Sequence, residues 1–273
     1  VTVKAVARLG SEPVALGAYR AEHPEDDAAP GDEAGAVWTR FKDDPAYKAV
    51  LLALTEAQQG LCMYCEQRLV DRDGARVFGD YQIEHVRPKS GGAGRTLDWT
   101  NVALACGGGT YPHHSDGSRR GTGRHNESCG QRKGSAELVR GCDPRAFVGV
   151  ARLVNVDLLG VLTADPVACQ AAGVSGDALE ASITMLNLNC ERLRMTRQSV
   201  MDEVRSWQLA IMLEGILPDS HLSPDQRREL LDLVIASRLQ PDEHRMLRAF
   251  WTAERCALSP GADAWCSQNA HLF

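Results

Sequence analysis

No apolar run in the 273-residue chain approaches the roughly 20 residues that a membrane-spanning helix needs, so a helical membrane protein is not expected. The first residues, Val1-Thr2-Val3-Lys4-Ala5, lack the apolar core of a secretion signal, which predicts a cytoplasmic protein. The chain also lacks a net basic charge. Thirty basic residues stand against 36 acidic ones, giving −6, whereas a freestanding nucleic-acid binder is more often basic. Internal repeats and low-complexity tracts are absent too. The 44% hydrophobic content predicts a packed globule rather than a disordered chain.

What is present is unevenly distributed. There are nine cysteines, an odd number at uneven spacings, which does not read as a disulfide framework. Cys62, Cys65, Cys106 and Cys129 fall inside one Gly-, Cys- and His-rich region. Cys142, Cys169, Cys190, Cys256 and Cys266 show no pairing pattern and are expected as free thiols. Residues 111–134 hold five basic side chains against two acidic ones, a local positive excess suited to phosphates.

Along the chain, residues 22–36 are polar and acidic with Pro24, Pro30, Gly31 and Gly35, the composition of a mobile loop or linker. Helical spacing of Tyr47, Val50, Leu51 and Leu54 predicts a helix over 38–59, stopped by Gly60. Residues 107–128 carry six glycines and should form a long loop. A short hairpin is expected over 150–164, and the remainder is helical. Val200, Val204, Trp207 and Ile211 lie on one helix face. Ser223-Pro224-Asp225-Gln226 has an N-cap, a first-turn proline and a capping-box Gln, opening a helix to about Leu239. Gln240-Pro241-Asp242-Glu243 is expected to open a third helix carrying Met246, Leu247, Phe250 and Trp251.

Cys62-x-x-Cys65 is a knuckle whose thiolates can share a tetrahedral ion, although redox sites use the same spacing. Cys106 and Cys129 are the natural second pair; His113, His114 and His125 lie between them and are alternative ligands. Four thiolates close the coordination shell, so such a zinc site is structural, and its binding energy is folding energy. Between the pairs stands Glu84-His85. A neutral imidazole can take a proton from water near neutral pH, and the neighbouring carboxylate can ligate a divalent cation. On a regular strand the two would face opposite ways, so one site served by both requires a bend, which Pro88 allows. Asn101 is a candidate to orient the imidazole through its amide or, alternatively, a turn residue before Val102-Ala103-Leu104. Trp99 reads as core. Arg87, Lys89, Arg132 and Lys133 are candidate phosphate contacts, with ordinary solvated charge the alternative.

Cys-x-x-Cys, Glu-His-x-x-Pro-Lys, Leu-x-Trp-x-Asn, a lone Cys and Cys-Gly-x-x-Lys-Gly, taken together, resemble the HNH endonucleases of ββα-metal fold. With the Leu186-Asn187-Leu188-Asn189…Leu193…Arg197 stretch, the chain is similar to the HNH subunit of Septu-type and retron-associated anti-phage systems, over about residues 55–205. The resemblance implies His85 as general base, Asn101 as its support, Glu84 as a ligand of catalytic Mg²⁺ or Mn²⁺, hydrolysis leaving a 5′-phosphate, and an ABC/SMC-like ATPase as partner. One departure is Gly130, where many such proteins have a His or Asn metal ligand directly after the last cysteine; His125 or Asn126, just upstream, and His113 or His114 are the candidate replacements. The expected fold is α+β: residues 1–60 as an N-terminal segment and helix, 61–149 as a zinc-stapled ββα-metal unit, and 150–273 as a hairpin plus a C-terminal helical domain. The expected substrate is nucleic acid, DNA first, with RNA such as tRNA the alternative. The competing expectation is a zinc-stapled binding module without catalysis.

Overall fold

The computed structural model describes residues 5–71, 80–110, 125–147, 152–214 and 222–273. Four helices come first: α1 (Val14–Glu22), α2 (Pro24–Asp27), α3 (Ala34–Asp43) and α4 (Pro45–Ala57). The middle stretch carries β1 (Tyr81–His85), β2 (Val102–Cys106) and the short helix α5 (Cys129–Lys133). A second strand pair follows, β3 (Val154–Val156) and β4 (Leu162–Ala164). Helices α6 (Pro166–Ala171), α7 (Gly176–Met185), α8 (Glu191–Glu214), α9 (Pro224–Leu239), α10 (Trp251–Leu258) and α11 (Gly261–Gln268) complete it. Mixed helices with two small antiparallel sheets agree with the α+β expectation. No helix among the described residues is long and apolar enough to cross a membrane.

The single helix expected over 38–59 is two. Asp44 is extended and its carboxylate accepts from the Ala46 amide, while Pro45 occupies the first turn of α4. Proline disfavours helical backbone in the residue before it, so the apolar periodicity continues while the helix does not. The linker expected at 22–36 is also corrected. It contains α2, and Asp26 within it is buried, accepting from the Tyr19 hydroxyl at 2.9 Å and pairing with Arg40. Gly60, at φ 73°, ends the run after α4 as expected, with its amide on the Thr55 carbonyl.

In the first sheet, Ile83 pairs with Leu104, Glu84 with Ala103 and His85 with Val102. β2 is buried along its whole length. Its outer edge is closed without a third strand. The Met63 amide donates to the Leu104 carbonyl at 3.0 Å, and the Gln58 side chain both donates to that carbonyl and accepts from the Leu104 amide. An edge strand satisfied this way offers no template for further pairing. The hairpin expected near 150–164 is the β3–β4 pair; residues 150 and 151 lie outside the described residues.

The main core takes side chains from all three expected segments, including Phe41, Leu54, Leu104, Leu179 and Leu193. Trp99 packs half-buried against it. In α8, Val204 is fully buried and Val200 and Ile211 are half-buried, but Trp207 on the same face is 55% exposed. The capping box of Ser223 and Gln226 is formed, and α9 ends at Leu239.

The third helix does not start at Gln240. The Asp242 carboxylate accepts from the amides of His244 and Met246, a local turn that competes with helix, and Phe250 is left-handed at φ 53°. Helix α10 begins only at Trp251. Its N-cap, Phe250, has no side-chain acceptor, and Glu66 supplies one from a distance: the buried Glu66 carboxylate accepts from the Thr252 amide at 2.8 Å and from its hydroxyl at 2.9 Å. Glu66 directly follows Cys65, so this cap ties the cysteine knuckle to the C-terminal helices. Glu66→Ala should lower unfolding free energy by about 3 kcal/mol, measured by urea denaturation, because two buried donors lose a charged acceptor.

Candidate functional site

The knuckle is built by a tight reversal. The Cys62 amide donates to the Gln67 carbonyl, the Glu66 amide to the Cys62 carbonyl, and Leu61 bridges to Arg68. Glu66 takes a positive φ of 63° to close the turn. Cys106 ends β2 and Cys129 begins α5, its amide held by the Leu186 carbonyl at 2.9 Å. These pieces bring the sulfurs of Cys62, Cys65, Cys106 and Cys129 within 4.8 Å of one another, all buried. The Cys65 and Cys106 sulfurs are 3.7 Å apart. A tetrahedral zinc with bonds of 2.3 Å sets its sulfurs about 3.8 Å apart, so the arrangement fits such an ion. Two N–H or O–H groups already point at the sulfurs, from the Gly108 amide to Cys106 and from the Ser128 hydroxyl to Cys129. Burial opposes ionisation of Cys62, but hydrogen bonds from Cys106, Cys129 and Cys65 hold its thiol low; burial pushes Cys129 high. Four thiols ionised this close together would need a cation. Among the described residues this is the one cluster of three or more Cys, His, Asp or Glu placed to hold a metal. The remaining five cysteines are free thiols.

Glu84 and His85 lie beside this centre on the wall of a cavity of ≈ 570 Å³, which Lys42, Lys89, Lys133 and Trp38 also line. His85 is the last residue of β1, and the chain leaves the ladder there, which reconciles one cavity with two neighbouring side chains. The imidazole packs edge-on against Trp38 with centroids 4.5 Å apart. Its Nε2 is 2.9 Å from the Thr96 carbonyl. A carbonyl only accepts, so Nε2 carries the proton and Nδ1 keeps the lone pair. Burial lowers the His85 pKa to about 4, so the ring is neutral at pH 7.

Asn101 does not orient that ring. Its fully buried amide accepts from the Arg87 backbone N–H and donates to the carbonyls of Arg87 and Arg95. It therefore fixes the loop that follows His85, while the Thr96 carbonyl selects the tautomer. The turn reading of Asn101 describes its contacts better than the imidazole reading.

Lys133 is the second correction. It is not a free phosphate contact: its side chain is 1% exposed, with Nζ 3.0 Å from Glu84 Oε1 and 3.1 Å from the His85 carbonyl. The Tyr64 hydroxyl donates to the same Glu84 oxygen at 3.2 Å, and the Gln82 amide faces the other at 3.5 Å. Burial raises the Glu84 pKa and Lys133 opposes the shift. Gly130 belongs to this arrangement as well, since a Cβ there would fall 2.3 Å from Glu84 Oε2. The carboxylate fills the space that a side chain at 130 would need.

A divalent ion on Glu84 would require lone pairs converging from other ligands. The three side chains around the carboxylate present hydrogens instead, and position 130 presents none. His125 is exposed and does not line the cavity. The described residues therefore do not fit catalytic Mg²⁺ or Mn²⁺ at Glu84; His113 and His114 lie outside the described residues. Of the remaining candidate phosphate contacts, Lys89 lines the cavity half-buried. Arg87 is solvent-exposed and paired with Asp98 at 3.1 Å, and Arg132 is exposed outside the cavity lining. Lys42, contributed by α3, was not anticipated as a site residue; its distance in sequence from the motif gave no signal.

No family model matches the chain, and no curated protein matches it.

Two outcomes are expected here. Cys106→Ser should reduce bound zinc from one equivalent per chain towards none, by elemental analysis, and lower the melting temperature. His85 should also make stability depend on acid. Its folded pKa lies below the ordinary 6.5, so the unfolded chain binds the extra proton between those values. Its contribution is complete above pH 6.5 and lost as pH falls towards 4. Between pH 7 and 4, wild type should lose about 3 kcal/mol relative to His85→Gln in urea titrations.

Proposed function

We propose that the chain is a phosphodiester hydrolase, an endonuclease of HNH type that acts on nucleic acid. DNA is the first substrate to test. The observation that carries the reading is His85, a neutral imidazole on the wall of an open cavity with Nε2 committed to a carbonyl and Nδ1 retaining its lone pair. Such a group is suited to receive a proton from an attacking water. Lys42 and Lys89 line the same cavity and supply positive charge for a phosphate. The strand–strand–helix order around four clustered cysteines supports the same reading. A general base at Nδ1 would take the water proton as the oxygen attacks phosphorus, the bond from phosphorus to O3′ would break, and the departing O3′ would take a proton from solvent, leaving a 5′-phosphate; the lysines would hold the phosphate oxygens while negative charge builds on them. The resemblance to HNH enzymes implies a divalent ion that would neutralise part of that charge. The residues around Glu84 do not fit that ion.

The resemblance to the Septu and retron-associated branch also supplies the proposed setting: an effector subunit of a cytoplasmic anti-phage complex with an ABC/SMC-like ATPase. The acidic net charge of −6 is consistent with a partner that helps engage nucleic acid.

A second reading, a zinc-stapled binding module without catalysis, is favoured by one observation. The Glu84 carboxylate is neutralised by a buried lysine, and Gly130 provides no ligand.

The purified chain, alone and with its ATPase, should be incubated with supercoiled plasmid and with tRNA, in Mg²⁺, in Mn²⁺ and in EDTA. Cleavage that falls by at least about 10²-fold in His85→Ala, with zinc content unchanged, is the expected result. Undiminished cutting by His85→Ala would remove the general-base assignment. No cleavage of either substrate under any condition would select the binding module, and cleavage of tRNA alone would make RNA the target.

A further inference from the structure

Two arginines on the first half of α8 take no part in the proposed catalysis. Arg192 is 6% exposed and Arg197 is 2% exposed. Among the described residues neither forms an ion pair with a carboxylate. Arg192 donates from Nη2 to the Ser128 hydroxyl at 2.8 Å, and its buried Nε has no partner. Arg197 donates from Nε to the Gly160 carbonyl and from Nη2 to the Leu188 carbonyl and Asn189 Oδ1, and its buried Nη1 has no partner. Every one of these acceptors is neutral. A buried guanidinium without a counter-charge is strongly destabilising, so two on one helix need an anion.

Burial is the largest influence on both guanidinium groups and disfavours their charge. At Arg192 the opposing influences are the sulfurs of Cys106, Cys65 and Cys129 in the cluster and of Cys190 outside it; at Arg197 the Glu66 carboxylate contributes beside Cys65, Cys190 and Cys129. Contact geometry ties Arg192 to the cluster. Arg192 holds the Ser128 hydroxyl, which in turn donates to the Cys129 sulfur at 3.5 Å. Gly109, three residues after Cys106, lies so close over Arg192 that a Cβ there would be 2.9 Å from Nε. The ligand-bearing loop is thus laid directly on the guanidinium.

We infer that Arg192 is a counter-charge of a metal centre formed by Cys62, Cys65, Cys106 and Cys129. A dication bound by four thiolates carries a net charge of −2, and the Arg192 guanidinium offsets part of it inside the core. The metal–thiolate centre in turn supplies the anion that Arg192 lacks, so metal loading secures the start of α8 against the knuckle. The inference rests on the metal reading of the cysteines and is independent of nuclease activity.

Acid-driven zinc release to a colorimetric chelator tests it. Without Arg192, the thiolates gain protons more readily and the dianionic centre is harder to form. Arg192→Met should therefore release zinc at higher pH and bind it roughly 10- to 100-fold more weakly. The Arg192→Lys variant, which keeps the charge, should stay nearer wild type. Arg238→Met serves as a stability control, because Arg238 is buried but paired with Glu203 and Glu254. Unchanged zinc affinity in Arg192→Met would overturn the proposal, and so would an equal shift in Arg238→Met. Should Arg192→Met not fold, hydrogen exchange on wild type decides: removing zinc should deprotect residues 191–200, and full protection there in the zinc-free protein would overturn the proposal. Wild-type protein that binds no zinc would overturn the metal reading itself.

Discussion

Four thiols from three separate stretches of chain meet within 4.8 Å, and the rest of the candidate site is referenced to that meeting. Cys62 and Cys65 come from the knuckle after α4, Cys106 from the end of β2 and Cys129 from the start of α5. Because Cys106 ends β2, the register of β1 against β2 carries Glu84 and His85 to the cavity wall. Because Cys129 opens α5, Lys133 is delivered one helical turn later to the Glu84 carboxylate. Closing these loops costs chain entropy, and packing four thiols costs more if they ionise unaided. A metal ion such as zinc would offset both terms.

Beside the sulfurs the core is unusually polar. Glu84, Lys133 and Tyr64 form a buried set in which the carboxylate accepts from both partners. A buried ion pair is weak support for stability but expensive to break, so its main effect is to hold geometry. Here it fixes the carboxylate in the space above Gly130 and places an ammonium against the backbone of His85. Burial leaves the imidazole neutral, and the Thr96 carbonyl at Nε2 leaves the lone pair on Nδ1. Positive charge at this site is therefore supplied in part by the protein's own lysines.

Parts of the chain were legible without coordinates where the signal was local. The Cys-x-x-Cys knuckle, the Ser223–Gln226 capping box, the β3–β4 hairpin and the stop at Gly60 depend on neighbours a few residues apart. Misreadings arose where a local pattern had two outcomes. Apolar spacing over 38–59 is shared by one long helix and by α3 and α4, and the Asp44-Pro45 step separates them. Gln240-Pro241-Asp242-Glu243 resembles a helix start, but the Asp242 carboxylate satisfies the following amides in a turn. Distant partners then hold the segment: the Leu247 amide on the Gln59 carbonyl and the Phe250 amide on the Glu66 carbonyl. The polar composition of 22–36 suggested a linker because the buried pairing of Asp26 with Arg40 is invisible until α2 and α3 are packed together.

Residue types and their spacing were enough to single out the cysteines, Glu84 and His85, because metal ligation and proton transfer restrict the side chains that can serve. They could not assign partners. Whether Lys133 faces solvent or Glu84, whether Asn101 holds a ring or a loop, and whether Arg192 meets a carboxylate or the Ser128 hydroxyl beside Cys129 depends on which strands and helices lie against each other. Hydrogen bonds and charges act over a few ångströms, and only the folded chain sets which groups come that close.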